Sequence, residues 1–200
     1  MTRFTALVVL ALAAACGHKA QPGAQATVSA RATADMIHAV IAADRHAYTK
    51  QVVNRLTVAH EVTVVDPVHD TRARFAASES WRNDHASLPL PAQMLRLGAA
   101  QVAKARAGVT YTLLSSWPIN DQNRPQTEVE KTALARLEKA PEPVYMRETL
   151  GDGHFLTAVY PDVAVVEACV RCHNHHPESP RTDFAVGDVM GALVIRIPID

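Results

Sequence analysis

Apolar positions along this chain fall into two rhythms, one helical and one alternating. Residues 30–56 contain no Gly or Pro. In them Met36, Ile37, Val40, Ile41, Ala47, Tyr48, Val52 and Leu56 recur at helical spacing, which predicts one long helix. Val62, Val64 and Val65 predict a short strand that Asp66-Pro67 stops, and residues 70–88 read as polar and irregular. Pro89 and Pro91 introduce a second helix over 92–105, with Gly108 just past its end. Residues 109–117 alternate with β-branched and aromatic side chains and read as a strand; 118–125 read as a turn. Thr127-x-x-Glu130 is a capping box for a third helix over 128–139, which Pro141 and Pro143 end. Two strands, 144–150 and 154–160, flank the tight turn Gly151-Asp152-Gly153. A short helix is expected over 161–170, a loop over 174–188, and a strongly apolar last strand over 189–199. The sum is an α+β domain: a small antiparallel sheet with flanking helices packed to one side and a long N-terminal helix.

The first residues have another purpose. Arg3 precedes an uninterrupted apolar run over 4–15, the length of a signal-peptide core and too short to span a bilayer as a helix. The run ends in Ala13-Ala14-Ala15-Cys16. Read as a lipobox, this makes Cys16 an acylated mature N-terminus, although Leu12 stands one place earlier than a lipobox leucine. Read as an ordinary secretory site, Ala13 and Ala15 satisfy the small-x-small rule and the product is soluble in the periplasm. Gly17 after the cysteine favours the outer membrane. Residues 17–29, small and polar with Pro22 and Gly23, read as a flexible tether. The expected organisation is therefore 1–16 signal peptide, 17–29 tether and 30–200 domain.

Composition narrows the function. Twenty basic and 20 acidic residues leave no net charge, so nothing points to nucleic acid. Three cysteines are too few for a disulfide scaffold. Ten histidines stand out.

The chemistry concentrates in Cys169-Val170-Arg171-Cys172-His173, a C-x-x-C-H motif of the kind that attaches c-type haem. Two thiols one helical turn apart can form thioethers with the two vinyl groups of a haem. The adjacent His173 is then the proximal iron ligand. Covalent attachment suits an exported protein, whose cofactor would otherwise diffuse away. Three other readings compete. Zinc could take Cys169, Cys172 and the nearby His173, His175 and His176, but the domain has no second distant cysteine pair. A thioredoxin-like pair needs a βαβ setting, and here the motif comes late in the domain. A disulfide across C-x-x-C would staple almost nothing.

The segment following Tyr160 adds Pro177, Ser179-Pro180, Asp183-Phe184, Gly187-Asp188 and Gly191 to the motif. With Leu88-Pro89-Leu90-Pro91-Ala92-Gln93 and Ser116-Trp117-Pro118 upstream, it resembles a bacterial domain-of-unknown-function family, the PAS-like c-type haem (Tll-like haem) domains. These occur alone in the periplasm or as the sensor half of signalling proteins. The resemblance spans residues 30–199. It implies a PAS-like antiparallel sheet with one covalent haem c in its pocket. Some members place a cysteine on the iron opposite the motif histidine, from a helix that precedes the strand before the Pro-Asn-rich turn. This chain departs from that pattern, because its only other cysteine is Cys16.

Met94, on the corresponding helix, is the expected metal ligand beside His173, competing with a role as core filler. His85 and His154 are the other candidates, each also readable as a surface histidine, and water is a further alternative. His38, His46 and His60 read as helix-surface or packing residues, and His175 and His176 as loop residues near a haem edge. Gly187 and Gly191 bracket the last strand and allow a sharp turn or a close approach. Trp117, Tyr145 and Phe155 are possible haem-packing aromatics. Arg124, Arg147 and Arg171 are possible propionate partners.

The functional expectation is a monohaem redox or sensor module, not an enzyme. The alternatives are a periplasmic electron carrier docking with an oxidoreductase and, further off, a haem enzyme. No acid–base constellation accompanies the motif. A redox or signalling protein is the expected partner, and a lipid on Cys16 would bring the domain to a membrane.

Overall fold

The computed structural model describes residues 27–58, 62–66 and 71–200. The signal peptide, most of the tether and His60 lie outside the described residues. The elements in chain order are α1 (Ala30–Tyr48), α2 (Asn54–Val58), β1 (Val62–Asp66), β2 (Thr71–Ala77), β3 (Ser87–Leu88), α3 (Pro91–Ala105), β4 (Thr110–Leu114), α4 (Glu128–Leu137), β5 (Val144–Leu150), β6 (Gly153–Val163), α5 (Glu167–His175) and β7 (Val189–Pro198). The fold is α+β. A four-stranded antiparallel sheet in the order β4-β7-β6-β5 carries flanking helices, and a smaller sheet joins β1, β2 and β3.

Helices cover both faces of the large sheet, not one. On one face Ala34 of α1 and Leu95 of α3 pack on Leu113, Ala158, Tyr160, Leu193 and Ile195. On the other, Ala133, Leu134 and Leu137 of α4 pack on Leu114, Val159, Ala192 and Val194. Odd and even positions of β7 thus both face a helix. This is why the last strand reads as a continuous apolar run rather than an alternation.

Three local expectations need correction. The long N-terminal helix is interrupted by a π turn, Thr49–Val53, between α1 and α2. There the Asn54 N–H donates to the Thr49 carbonyl, and the Thr49 hydroxyl donates to the Arg45 carbonyl at 2.7 Å. β2 lies in a stretch read as irregular; its pairing partner β1 supplies order that its mixed, charged sequence does not announce. The helix expected over 161–170 starts only at Glu167, because β6 runs on to Val163. Pro161 is tolerated in that strand because β5 pairs with β6 only as far as Val159, so the edge beyond it needs no N–H.

The capping box holds as expected. The Thr127 hydroxyl accepts from the Glu130 N–H, and the Glu130 carboxylate accepts from the Thr127 N–H. The same carboxylate continues into a buried network. Arg196 of β7 donates to Glu130 at 2.6 Å and to Glu148 at 2.8 Å, and Thr157 donates to Glu148 at 2.6 Å. This network ties α4 to β5, β6 and β7.

Candidate functional site

The C-x-x-C-H motif lies within α5, so Cys169 and Cys172 stand one turn apart on a helix, both as free thiols. α5 is seated by its surroundings. Asn174 clips it to the following loop: its Nδ2 donates to the Phe184 carbonyl at 2.9 Å and its Oδ1 accepts from the Phe184 N–H at 3.0 Å. Phe184 packs with Ala164, Val170 and Met190 under the helix, and its ring meets the His173 ring edge-on at 5.9 Å. Arg181 lies over Trp117 and Phe184 and pairs with Asp183 and Asp188, closing the loop.

Cys169, Cys172 and His173 all border one cavity of about 980 Å³. That is near the top of the roughly 300–1,000 Å³ range of cofactor and small-molecule sites. The sheet contributes Leu113, Leu193 and Gly191 to it, and α1 and the π turn contribute a stripe from His38 to Val53. α3 and the 117–124 loop add Gln93, Arg96, Asn120, Asp121, Asn123 and Arg124 to its polar lining.

A bulge at Asp162/Val163 in the β6–β7 ladder falls beside this cavity. Asp162 there forms a two-pronged ion pair with Arg45 of α1, one arm at 3.0 Å, and both residues line the cavity. Gly191, opposite Asp162, is required by a close approach: a Cβ there would stand 2.3 Å from the Leu114 carbonyl oxygen. Gly187, with φ of 96°, makes the turn before β7.

The surroundings of the His173 imidazole disfavour its charged form. Burial pushes its pKa below the ordinary histidine value, helped by the charges of His176 and Arg45 and opposed by Asp162 and Glu79. Its Nδ1 is buried without a hydrogen-bond partner. A neutral ring is the form that ligates metal. The Cys172 thiol is pushed up by packing around its sulfur, with Glu79 and Cys169 adding to the shift, although the residue as a whole is exposed. That is the reverse of an activated redox thiol. Among the described residues no cluster of three or more His, Cys, Asp or Glu is arranged to hold a metal ion.

The structure does not bring Met94 to the cavity. Met94 is 47% exposed, on the solvent side of α3, while Ala92, Gln93 and Arg96 of the same helix line the cavity. At one residue per 100° of helix, the neighbours of Met94 take the inward positions. His85 and His154 are exposed and also outside the lining.

His38 and His46, read as surface or packing residues, do line the cavity. The signal for them was present in the sequence: both belong to the stripe at three- and four-residue steps on α1. Of the aromatic candidates Trp117 lines the cavity, whereas Tyr145 and Phe155 do not. Of the arginines Arg124 does, joined by Arg45 and Arg96, while Arg147 and Arg171 do not. His175 is exposed, its Nδ1 2.8 Å from the Arg171 carbonyl, and His176 lies 3.1 Å from Glu79.

An α+β domain whose sheet, two helices and C-x-x-C-H helix enclose one cofactor-sized cavity defines the class. The family follows: a model described as Tll0287-like matches residues 20–198, and the chain belongs to the Tll0287-like family. Among solved structures it is similar to the cyanobacterial haem protein Tll0287, with a TM-score of 0.52 and 15% identity over 86% of this chain and 98% of that one. At that identity the likeness establishes the fold. No curated protein matches.

Proposed function

We propose that this protein is an exported monohaem c-type protein that acts as a redox or sensor module. The observation that carries the reading is that Cys169, Cys172 and His173 border the same cofactor-sized cavity. Kinship with a family whose solved relative is a haem protein supports it. In this reading Cys169 and Cys172 hold the haem through thioethers and His173 supplies the proximal nitrogen. When bound, the haem supplies one-electron chemistry and a site for a diatomic ligand. The chain's own part is to seat the helix through Asn174 and Phe184, to disfavour a charged His173, and to shield the group between the sheet and α1. Arg45, Arg96 and Arg124 give the cavity cationic groups suited to propionates.

The test is covalency. The protein is produced through a c-type maturation pathway and extracted with acid–acetone. The haem stays on the polypeptide, and Cys172→Ala abolishes stable assembly. Haem released into the solvent sinks the c-type reading.

Electron carriage is the second reading, favoured by the exposure of Cys172, which would bring one edge of the group to the surface. A six-coordinate haem that exchanges electrons rapidly with an oxidoreductase supports the carrier. A ferrous haem that opens and binds CO supports the sensor. Either role requires a protein partner, and export places that partner in the periplasm or at a membrane to which a lipid on Cys16 tethers the domain.

A further inference from the structure

We propose that His46 is the second axial ligand of the haem, opposite His173; the inference rests on the c-type reading above. The three side chains that the linear sequence offers for this position, those of Met94, His85 and His154, all lie outside the cavity lining. Among the described residues, the remaining lining side chains with a ligating nitrogen or thioether sulfur, apart from His173, are His38, His46 and Met190.

Met190 is committed elsewhere. It is 8% exposed and packed with Val170 and Phe184 beneath α5, the cluster whose Phe184 ring meets His173. It therefore belongs to the His173 side. His38 is committed as well: its ring lies flat on Tyr160, with centroids 3.9 Å apart and planes 6° apart. Tyr160 is in turn fixed by its hydroxyl donating to Asp35 at 2.8 Å.

Position along α1 separates the two histidines further. Arg45 pairs with Asp162 at the β6 bulge, and both line the cavity that His173 borders. His46 is the next residue; it lines the same cavity and is exposed to solvent through its open side. His38 lies eight residues back, about 12 Å farther along the helix axis at 1.5 Å per residue. An iron held between two imidazoles needs both rings close to it on opposite sides, and of the two α1 histidines His46 is the one at the axial level of the Arg45–Asp162 pair. The π turn immediately after α1 adds an extra residue to the helix there, a distortion common at functional sites.

The test uses the haem-loaded protein and reads coordination rather than activity. Low-temperature electron paramagnetic resonance and near-infrared magnetic circular dichroism are recorded for wild type, His46→Ala, His46→Met and His38→Ala, together with the reduction potential. Wild type shows a low-spin, bis-imidazole haem. His46→Ala loses that signature and becomes high-spin, and added imidazole restores it. His46→Met brings a sulfur-to-iron charge-transfer band and a higher potential, as His/Met ligation does. His38→Ala keeps the wild-type spectrum. A covalent haem whose spectrum and potential are unchanged in His46→Ala overturns this assignment and leaves the c-type reading standing. Loss of the bis-imidazole signature in His38→Ala alone also overturns it. A haem freed by acid–acetone overturns both.

Discussion

Gly191 shows how much one missing side chain decides. The β7 backbone there passes so close to β4 that a Cβ would sit 2.3 Å from the Leu114 carbonyl oxygen. Neither strand can yield alone, because the Leu114–Ala192 pairing and the Ser115 hydroxyl bond to the Met190 carbonyl at 2.6 Å hold both. Gly191→Ala is expected to cost about 1–3 kcal/mol, the range for overpacking a filled site, read as a lowered urea midpoint with unchanged slope. Because Gly191 also lines the cavity, the same variant should weaken retention of whatever the cavity holds. The glycine was legible in the sequence as a close-approach position. That the approach is to β4 was not, since strand order is a tertiary fact.

Among the elements, α4 and the strands beneath it depend on one buried charge network. Glu130 and Glu148 are 4% and 6% exposed, and Arg196 serves both. Burial pushes the Glu148 carboxyl up, but hydrogen bonds from Arg196, Thr127 and Thr157 outweigh it and hold the value below the ordinary 4.5. A carboxylate whose folded value is depressed contributes stability that is whole above the unfolded value. That stability is lost as pH falls through the folded value. Stability should therefore be level above pH 4.5 for this group and decline below it, measured as denaturant midpoints across an acid series. Arg196→Met leaves two buried carboxylates without a counter-charge and should cost about 3–5 kcal/mol near neutral pH. Without Arg196 burial also raises the Glu148 pKa, which reverses the slope, so that the variant recovers stability relative to wild type on acidification. The capping box could be read from four residues. Its extension to Arg196 and Glu148 could not, because those residues meet only when β5, β6 and β7 align.

At the scale of the whole molecule, the proposed attachment to a membrane is tested through the segment before the domain. No helix among the described residues is long and apolar enough to cross a bilayer. The proposed anchor is a lipid on Cys16, in the segment that precedes the described residues. Wild type is expected in the membrane fraction after cell fractionation, and Cys16→Ser in the soluble periplasm. A fully soluble wild type favours ordinary cleavage after Ala15.

The sequence by itself determined the pieces that depend on neighbours in the chain: the spacing of two thiols and an imidazole, the capping box, the 144–160 hairpin, the apolar last strand and the α+β class. These are local, because a helical turn, a cap or a tight turn closes within a few residues. Only the tertiary structure decided which face of each helix meets the cavity. A stripe of apolar and polar residues on α1 reads the same whether it faces a core or a cavity: His46 is a surface residue and His38 a packing residue as expected, and that both also line the cavity is a tertiary fact. Met94 is a candidate because it lies on the helix where relatives carry a ligating cysteine; the rotation of α3, which turns it to solvent, is fixed by where Leu95 packs on Leu113 and Leu193. The contacts that settle both helices join residues far apart in sequence, and no local spacing encodes them.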